Sequence, residues 1–107
     1  MFQVYVITNK INGKKYIGCT ERELRLRWNK HIYKMNEGSQ CALHKAIRKY
    51  GKDNFEINLL EVYKSKLDML VGEIKYIEMY NTYYNGYNET LGGEGGNTNS
   101  GKQFHKE

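Results

Sequence analysis

The sequence contains no proline, so no turn is set by a fixed φ and reversals must rest on glycine and asparagine. Its two cysteines, Cys19 and Cys41, lack the close paired spacing of a zinc site, and nothing marks a secreted, disulfide-stapled chain. Both read as reduced thiols, which predicts a cytoplasmic protein. No apolar run approaches the roughly 20 residues that span a bilayer, and no charged-then-apolar leader opens the chain, so no membrane partner is expected. Acidic residues are scarce in the first half. Residues 1–52 hold twelve Lys or Arg against three Asp or Glu, a balance of +9, whereas residues 53–107 hold five against nine, a balance of −4. A basic half of this kind suits a polyanion, and nucleic acid is the foremost candidate.

What is present fits one compact domain. A chain of 107 residues that is 39% hydrophobic, with ten Tyr, can build one modest core edged by amphipathic aromatics. Val4-Tyr5-Val6 and Lys15-Tyr16-Ile17-Gly18 are two β-prone runs around a loop rich in Asn, Gly and Lys. Asn12-Gly13 is a turn signal, because both residues tolerate positive φ. These features predict a hairpin of Phe2–Thr8 with Lys14–Cys19, its register left open by the loop length.

Thr20-Glu21-Arg22-Glu23 reads as a capping box opening a helix that runs to about Glu37, with Gly38 as its stop. Leu24, Trp28, Ile32 and Met35 form its apolar stripe, and Arg27 and His31 lie four apart on the adjoining face. Ala42–Tyr50 reads as a second helix with Leu43, Ala46, Ile47 and Tyr50 inward and Gly51 as terminator. Phe55–Tyr63 reads as a strand. Ser65 caps a third helix, with Asp68 in its first turn and Leu67, Leu70, Val71, Ile74 and Ile77 as the expected buried face. Asn81–Asn85 is a turn-rich connector, and Asn85-Gly86-Tyr87-Asn88 is a turn entering an extended segment. The predicted order is β-β-α-α-β-α: an α+β fold with a small three-stranded, largely antiparallel sheet whose apolar side the helices cover. Residues 1–91 form the expected domain. Residues 92–107 read as a Gly/Asn-rich linker or tail.

Val4-Tyr5 followed by Tyr16-Ile17-Gly18 resembles the paired motifs of the GIY-YIG nuclease family, with Gln3 standing where the family's leading Gly would be. Arg27 and His31 reproduce its Arg-three-residues-His pattern. Glu73 occupies the position of its metal-binding Glu, and Asn88 that of its terminal Asn. Ala46-Ile47-Arg48-Lys49-Tyr50-Gly51 and Leu91-Gly92-Gly93-Glu94-Gly95 look most like the phage and intron homing-endonuclease branch. The loose likeness of Gly101–Glu107 to the start of a DNA-binding module fits that branch too.

The resemblance implies a metal-dependent DNA endonuclease in a bacterial or phage-infected cell, with Mg²⁺ or Mn²⁺ as cofactor and Glu73 as its ligand. The expected catalytic set is Tyr5, Tyr16, Arg27, His31, Glu73 and Asn88. A single hard carboxylate can hold Mg²⁺ when water and phosphate complete the shell. Arg27 offers a permanently charged fork to phosphate. The ordinary pKa of His31 lies near neutrality, where it can relay a proton. Tyr5 is the first candidate to activate water, and Tyr16 to orient it. Lys14, Lys15, Arg25, Lys30, Lys34, Lys45, Arg48 and Lys49 are expected to contact DNA. His44 is assigned to the surface, at most touching the DNA backbone, and His105 has no role. The plainer readings are a Glu23–Arg27 helix pair, a helix-edge His31, a solvated Glu73 and an Asn88 that only turns the chain. The isolated domain is expected to be a monomer, with a dimer on DNA if both strands are cut. The alternative function is a non-catalytic nucleic-acid-binding module.

Overall fold

In the computed structural model the described residues are 1–93, and the expectations for 94–107 lie outside them. The elements are β1 (Phe2–Asn9), β2 (Lys15–Thr20), α1 (Leu24–Asn36), α2 (Ala42–Tyr50), β3 (Phe55–Tyr63), α3 (Lys66–Tyr80) and a single turn, α4 (Thr82–Asn85). The sheet is antiparallel in the order β2-β1-β3. The hairpin register pairs Val4 with Cys19, Val6 with Ile17 and Thr8 with Lys15. Its loop closes by asparagine chemistry in place of proline: Asn9 Oδ1 accepts from the Ile11 N–H and Asn12 Oδ1 from the Lys14 N–H, each at 2.9 Å, while Gly13 takes φ +80°.

The helices cover both faces of the sheet rather than one. Tyr5 and Ile7 point into a core with Leu43, Ala46, Ile47, Phe55 and Tyr87, closed by Leu24, Trp28 and Ile32 of α1. Val4 and Val6 alternate to the other face and pack with Ile17 against Met69 and Ile77 of α3. This explains the unbroken apolar run of β1, which is central and buried on both sides. Each fully buried Val or Ile contributes about 1.5–3 kcal/mol relative to exposure. A bulge opposite Val4/Tyr5 shifts the β3 register, so Phe55 and Ile57 serve the first core while Leu60 and Tyr63 serve the second.

Three local expectations change. Thr20 still belongs to β2, so its hydroxyl meets the Arg22 N–H at 3.0 Å and no capping box forms; α1 starts after Glu23, which makes no side-chain cap. Gln3 makes up for this by donating its amide to the Arg22 carbonyl at 2.6 Å, which ties β1 to the start of α1. The buried face of α3 is also rotated from the expected stripe. Met69, Gly72 and Ile77 face inward, while Leu67, Val71 and Ile74 are exposed. Gly72 sets this register, because a Cβ there would overlap the Tyr63 ring and hydroxyl. The Ser65 cap forms as expected, accepting from the Asp68 N–H at 3.0 Å. Finally, the Asn81–Asn85 connector is the turn of α4, entered through Asn81 in the left-handed region at φ 55°.

Candidate active site

Tyr16 of β2, Arg27 of α1, Glu73 of α3 and Asn88 line one cleft of about 440 Å³, together with Cys19, Cys41, Lys66 and Glu89. Four separate stretches of chain therefore deliver four of the six expected side chains to one place. The remaining two, Tyr5 and His31, lie directly behind it.

Tyr5 is fully buried. Arg27 Nε donates to its hydroxyl at 3.1 Å, and the hydroxyl meets His31 Nε2 at 2.9 Å. Gly18 lies over the same hydroxyl, where a Cβ would overlap it, so the glycine of Tyr16-Ile17-Gly18 is needed for close approach. Arg27 does not pair with Glu23, which bonds Arg25 instead at 3.3 Å. His31 is 4% exposed, at the core edge of α1 rather than on a solvent face. The Tyr16 and His31 rings meet edge to face at 5.6 Å.

These surroundings reset the acid–base chemistry. Burial pushes Tyr5 up to about 12 against the partial relief of Arg27, and burial raises Tyr16 well above its ordinary value. Cys19 is pushed up to about 12 by burial and then by the charge and hydrogen bond of Glu73, so that thiol stays protonated. His31 does not titrate near neutrality as its type suggests. Burial, followed by Arg27, His44, Lys30 and Lys34, pulls it down to about 3, leaving a neutral imidazole.

Asn88 is buried and uses both ends of its amide on the outer edge of β2. Its Oδ1 accepts from the Ile17 N–H at 2.7 Å, and its Nδ2 donates to the Ile17 carbonyl at 2.8 Å. The Tyr87 N–H adds a bond to the Lys15 carbonyl at 2.9 Å. The segment after α4 thus docks along the strand that carries Tyr16. Tyr87 reaches the hairpin loop as well, accepting from Asn9 Nδ2 at 3.0 Å and Asn12 Nδ2 at 3.3 Å.

Glu73 is half-buried and accepts from the Gly93 N–H at 3.2 Å. Gly92 and Gly93 lie against Ile74 and Ile77 with φ of 93° and 84°, a backbone conformation that favours glycine at both positions. No cluster of three or more His, Cys, Asp or Glu side chains suited to a metal occurs among the described residues. Glu21, Glu73 and Glu89 line the cleft without clustering, so a cation at Glu73 would meet a single protein carboxylate, which suits a hard cation keeping most of its water and not a fully protein-caged metal.

The basic residues are dispersed. Lys30 lines a groove that continues from the cleft past Cys19, Thr20 and Arg27, together with Arg22 and Asn29. Lys14, Lys15, Arg25, Lys34, Lys45, Arg48 and Lys49 line neither the cleft nor this groove. Arg48 is engaged as a clamp, donating to the carbonyls of Met35 at 2.8 Å and Ser39 at 2.6 Å. Lys49 lies over the Tyr50 ring. Lys66 and Arg22 are cations at the cleft and groove that the sequence pattern did not single out.

His44 corrects the surface assignment: it is buried, 5% exposed, with Nε2 at 2.9 Å from His31 Nδ1 and Nδ1 at 2.7 Å from Ser39 Oγ. The available signal was its place three residues before Ile47, at the edge of the α2 apolar arc. Glu89 was also missed. It accepts from the Ala42 N–H at 2.9 Å and so caps α2 from outside the helix.

The catalytic domain of the intron endonuclease I-TevI, solved in a mutant form, superposes with a TM-score of 0.74 at 29% identity, over 83% of this chain and 94% of that one. A second structure of the same domain, described as that of a homing endonuclease, gives 0.71 at 27% identity, over 82% and 97%. Endonuclease segA of Enterobacteria phage T4 is 34% identical over 97 residues, which are 86% of this chain and 39% of the phage protein. The chain spans about two fifths of the length of such curated relatives. Residues 1–88, nearly all that the structure describes, match the GIY-YIG catalytic domain, and with the motif residues converging on one cleft the chain belongs to the GIY-YIG family.

Proposed function

We propose that this domain hydrolyses phosphodiester bonds of DNA as the catalytic domain of a homing-type endonuclease. The convergence of Tyr16, Arg27, Glu73 and Asn88 on one cleft of a family member carries the reading. Each has work a phosphodiester requires. Arg27 commits its Nε to Tyr5, so its terminal N–H groups are the part that meets phosphate. Glu73 is the residue to hold Mg²⁺ or Mn²⁺, which when bound supplies positive charge to the oxygens that gain it in the transition state. Tyr16, which lines the cleft, is better placed than the buried Tyr5 to touch a nucleophilic water or a phosphate oxygen. Its raised pKa means that it gives up or shares its proton only with cationic charge beside it, which Arg27 supplies in part. Asn88 braces β2 under Tyr16.

One cleft serves one strand. The isolated domain nicks as a monomer, and a double cut takes a second copy on DNA or successive nicks. Its place of action is the cytoplasm of a bacterial or phage-infected cell; among the described residues no helix is long and apolar enough to cross a membrane. Supercoiled plasmid incubated with the protein in Mg²⁺ should convert to open circle, and excess chelator should prevent it. Salt-sensitive binding without nicking in either Mg²⁺ or Mn²⁺ would instead make the domain a nucleic-acid-binding module.

A further inference from the structure

Behind the cleft runs a file of hydrogen bonds whose far half has no place in the chemistry above. It passes from Arg27 Nε to the Tyr5 hydroxyl at 3.1 Å, to His31 Nε2 at 2.9 Å, from His31 Nδ1 to His44 Nε2 at 2.9 Å, and from His44 Nδ1 to Ser39 Oγ at 2.7 Å. The file crosses from α1 to β1, back to α1, then to α2 and the loop before it. Its direction follows from one end. Arginine only donates, so the Tyr5 oxygen accepts from Arg27; among the described residues His31 Nε2 is the one other partner of this fully buried hydroxyl, so the Tyr5 proton is paired by going there. His31 must then carry its proton on Nδ1 and donate to His44 Nε2, and His44 must carry its proton on Nδ1 and donate to Ser39.

We infer that His44 is a positioning residue for the cleft: by accepting from His31 it fixes the ring's tautomer, and through Tyr5 it aims the guanidinium of Arg27. The inference rests on the nuclease reading of that cleft. The surroundings keep both rings neutral, as the file requires. Arg27, Lys30 and Lys34 face His31 from α1, Tyr5 and Tyr16 from the sheet and His44 from α2. His44 is faced by Arg27, Lys34 and Arg48, opposed by Glu89. Burial and this cationic excess hold both imidazoles below their ordinary value. An imidazolium at His31 would place a donor against the Tyr5 proton and break the step between Tyr5 and His31.

The far end is anchored independently. Ser39 is held by Arg48 through its carbonyl, and α2 begins on the Glu89 carboxylate. A shift of α2 would therefore be felt at Arg27, and misplacement on the order of 1 Å costs about a hundredfold in rate where a charged group must meet a transition state.

The test begins with long-range proton–nitrogen correlation of the histidine rings in the wild-type chain at neutral pH. Both His31 and His44 should show the Nδ1–H tautomer, the minority form of free imidazole. His44→Phe, which keeps ring volume and removes the acceptor, should lower plasmid nicking on the order of tenfold or more. His44→Gln, whose amide oxygen can accept from His31, should recover most of the rate and preserve the His31 tautomer. An Nε2–H tautomer at His31, or a folded His44→Phe that nicks at the wild-type rate, overturns the inference. If His44→Phe does not fold, the wild-type tautomer alone decides. The tautomer is read without activity, so a protein that never nicks defeats the functional reading while this one is still judged.

Discussion

A free imidazole titrates near 6.5, whereas His31 is pulled down to about 3 by burial, with Arg27 and its neighbours adding to the effect. In the unfolded chain the ring binds a proton below about pH 6.5; in the folded chain it does so only near pH 3. The contribution is fully present above pH 6.5 and is lost as the pH falls toward 3, by up to about 1.4 kcal/mol per unit. His44 is shifted in the same direction. Urea midpoints should therefore drop between pH 7 and pH 5 while the His31 ring signals stay those of a neutral imidazole; a folded-state His31 titrating near 6.5 would contradict this. Much at this scale was legible in the chain itself. Tyr5, Tyr16, Arg27, His31, Glu73 and Asn88 could be picked out as candidates because each matches a motif of the family, and the structure gathers them at and behind one cleft. His44 was marked only weakly, by its place at the edge of the α2 apolar arc, and in a helix studded with Lys45, Arg48 and Lys49 that place fits an exposed histidine as well as a buried one. Only the path of α2 against α1 shows what it touches.

Helices and strands were readable where local chemistry decides them. Gly51 ends α2 at φ +92°, and Ser65 caps α3, because each acts within a few residues of itself. Faces were less readable, because they depend on distant partners. The apolar residues of α3 cover a wide arc, and Gly72 against Tyr63 selects Met69 and Ile77 from it while leaving Leu67 and Val71 outside. The edge of β2 has a similar long-range dependence. It is satisfied by the side chain of Asn88, 71 residues away, and not by a fourth strand. Asn88→Ala would leave the Ile17 N–H and carbonyl unpaired in a buried setting, which should cost about 3 kcal/mol. Because Tyr16 neighbours Ile17, nicking should fall with stability. Urea denaturation of the variant checks this, and a loss below about 0.5 kcal/mol would show that water replaces the amide without strain.

For the whole molecule, the cations of the basic first half are spread over the hairpin, α1 and α2, and few of them reach the cleft, where Lys66 of α3 joins them. Arg27 and Lys66 line the cleft, with Arg22 and Lys30 along the groove that leaves it. Four phosphate contacts at a slope of about −0.9 each predict that log affinity falls against log salt with a slope of about −3 to −4. A titration of duplex DNA across a salt series in the absence of Mg²⁺ measures this. A slope near zero would mean that the charge asymmetry serves something other than DNA.

The central claim is that the half-buried carboxylate of α3 holds the metal while the guanidinium of α1 holds the phosphate. Plasmid nicking in Mg²⁺ by Glu73→Ala beside Arg27→Ala, with DNA binding measured in parallel at one salt concentration, tests it directly. Glu73→Ala should fold, bind DNA as well as wild type or slightly tighter without metal, since a carboxylate has been removed from beside phosphate, and fail to nick. Arg27→Ala should lose both binding and rate, because it meets the phosphate before and during the reaction. A Glu73→Ala protein that nicks at a near-normal rate in Mg²⁺ would contradict the account.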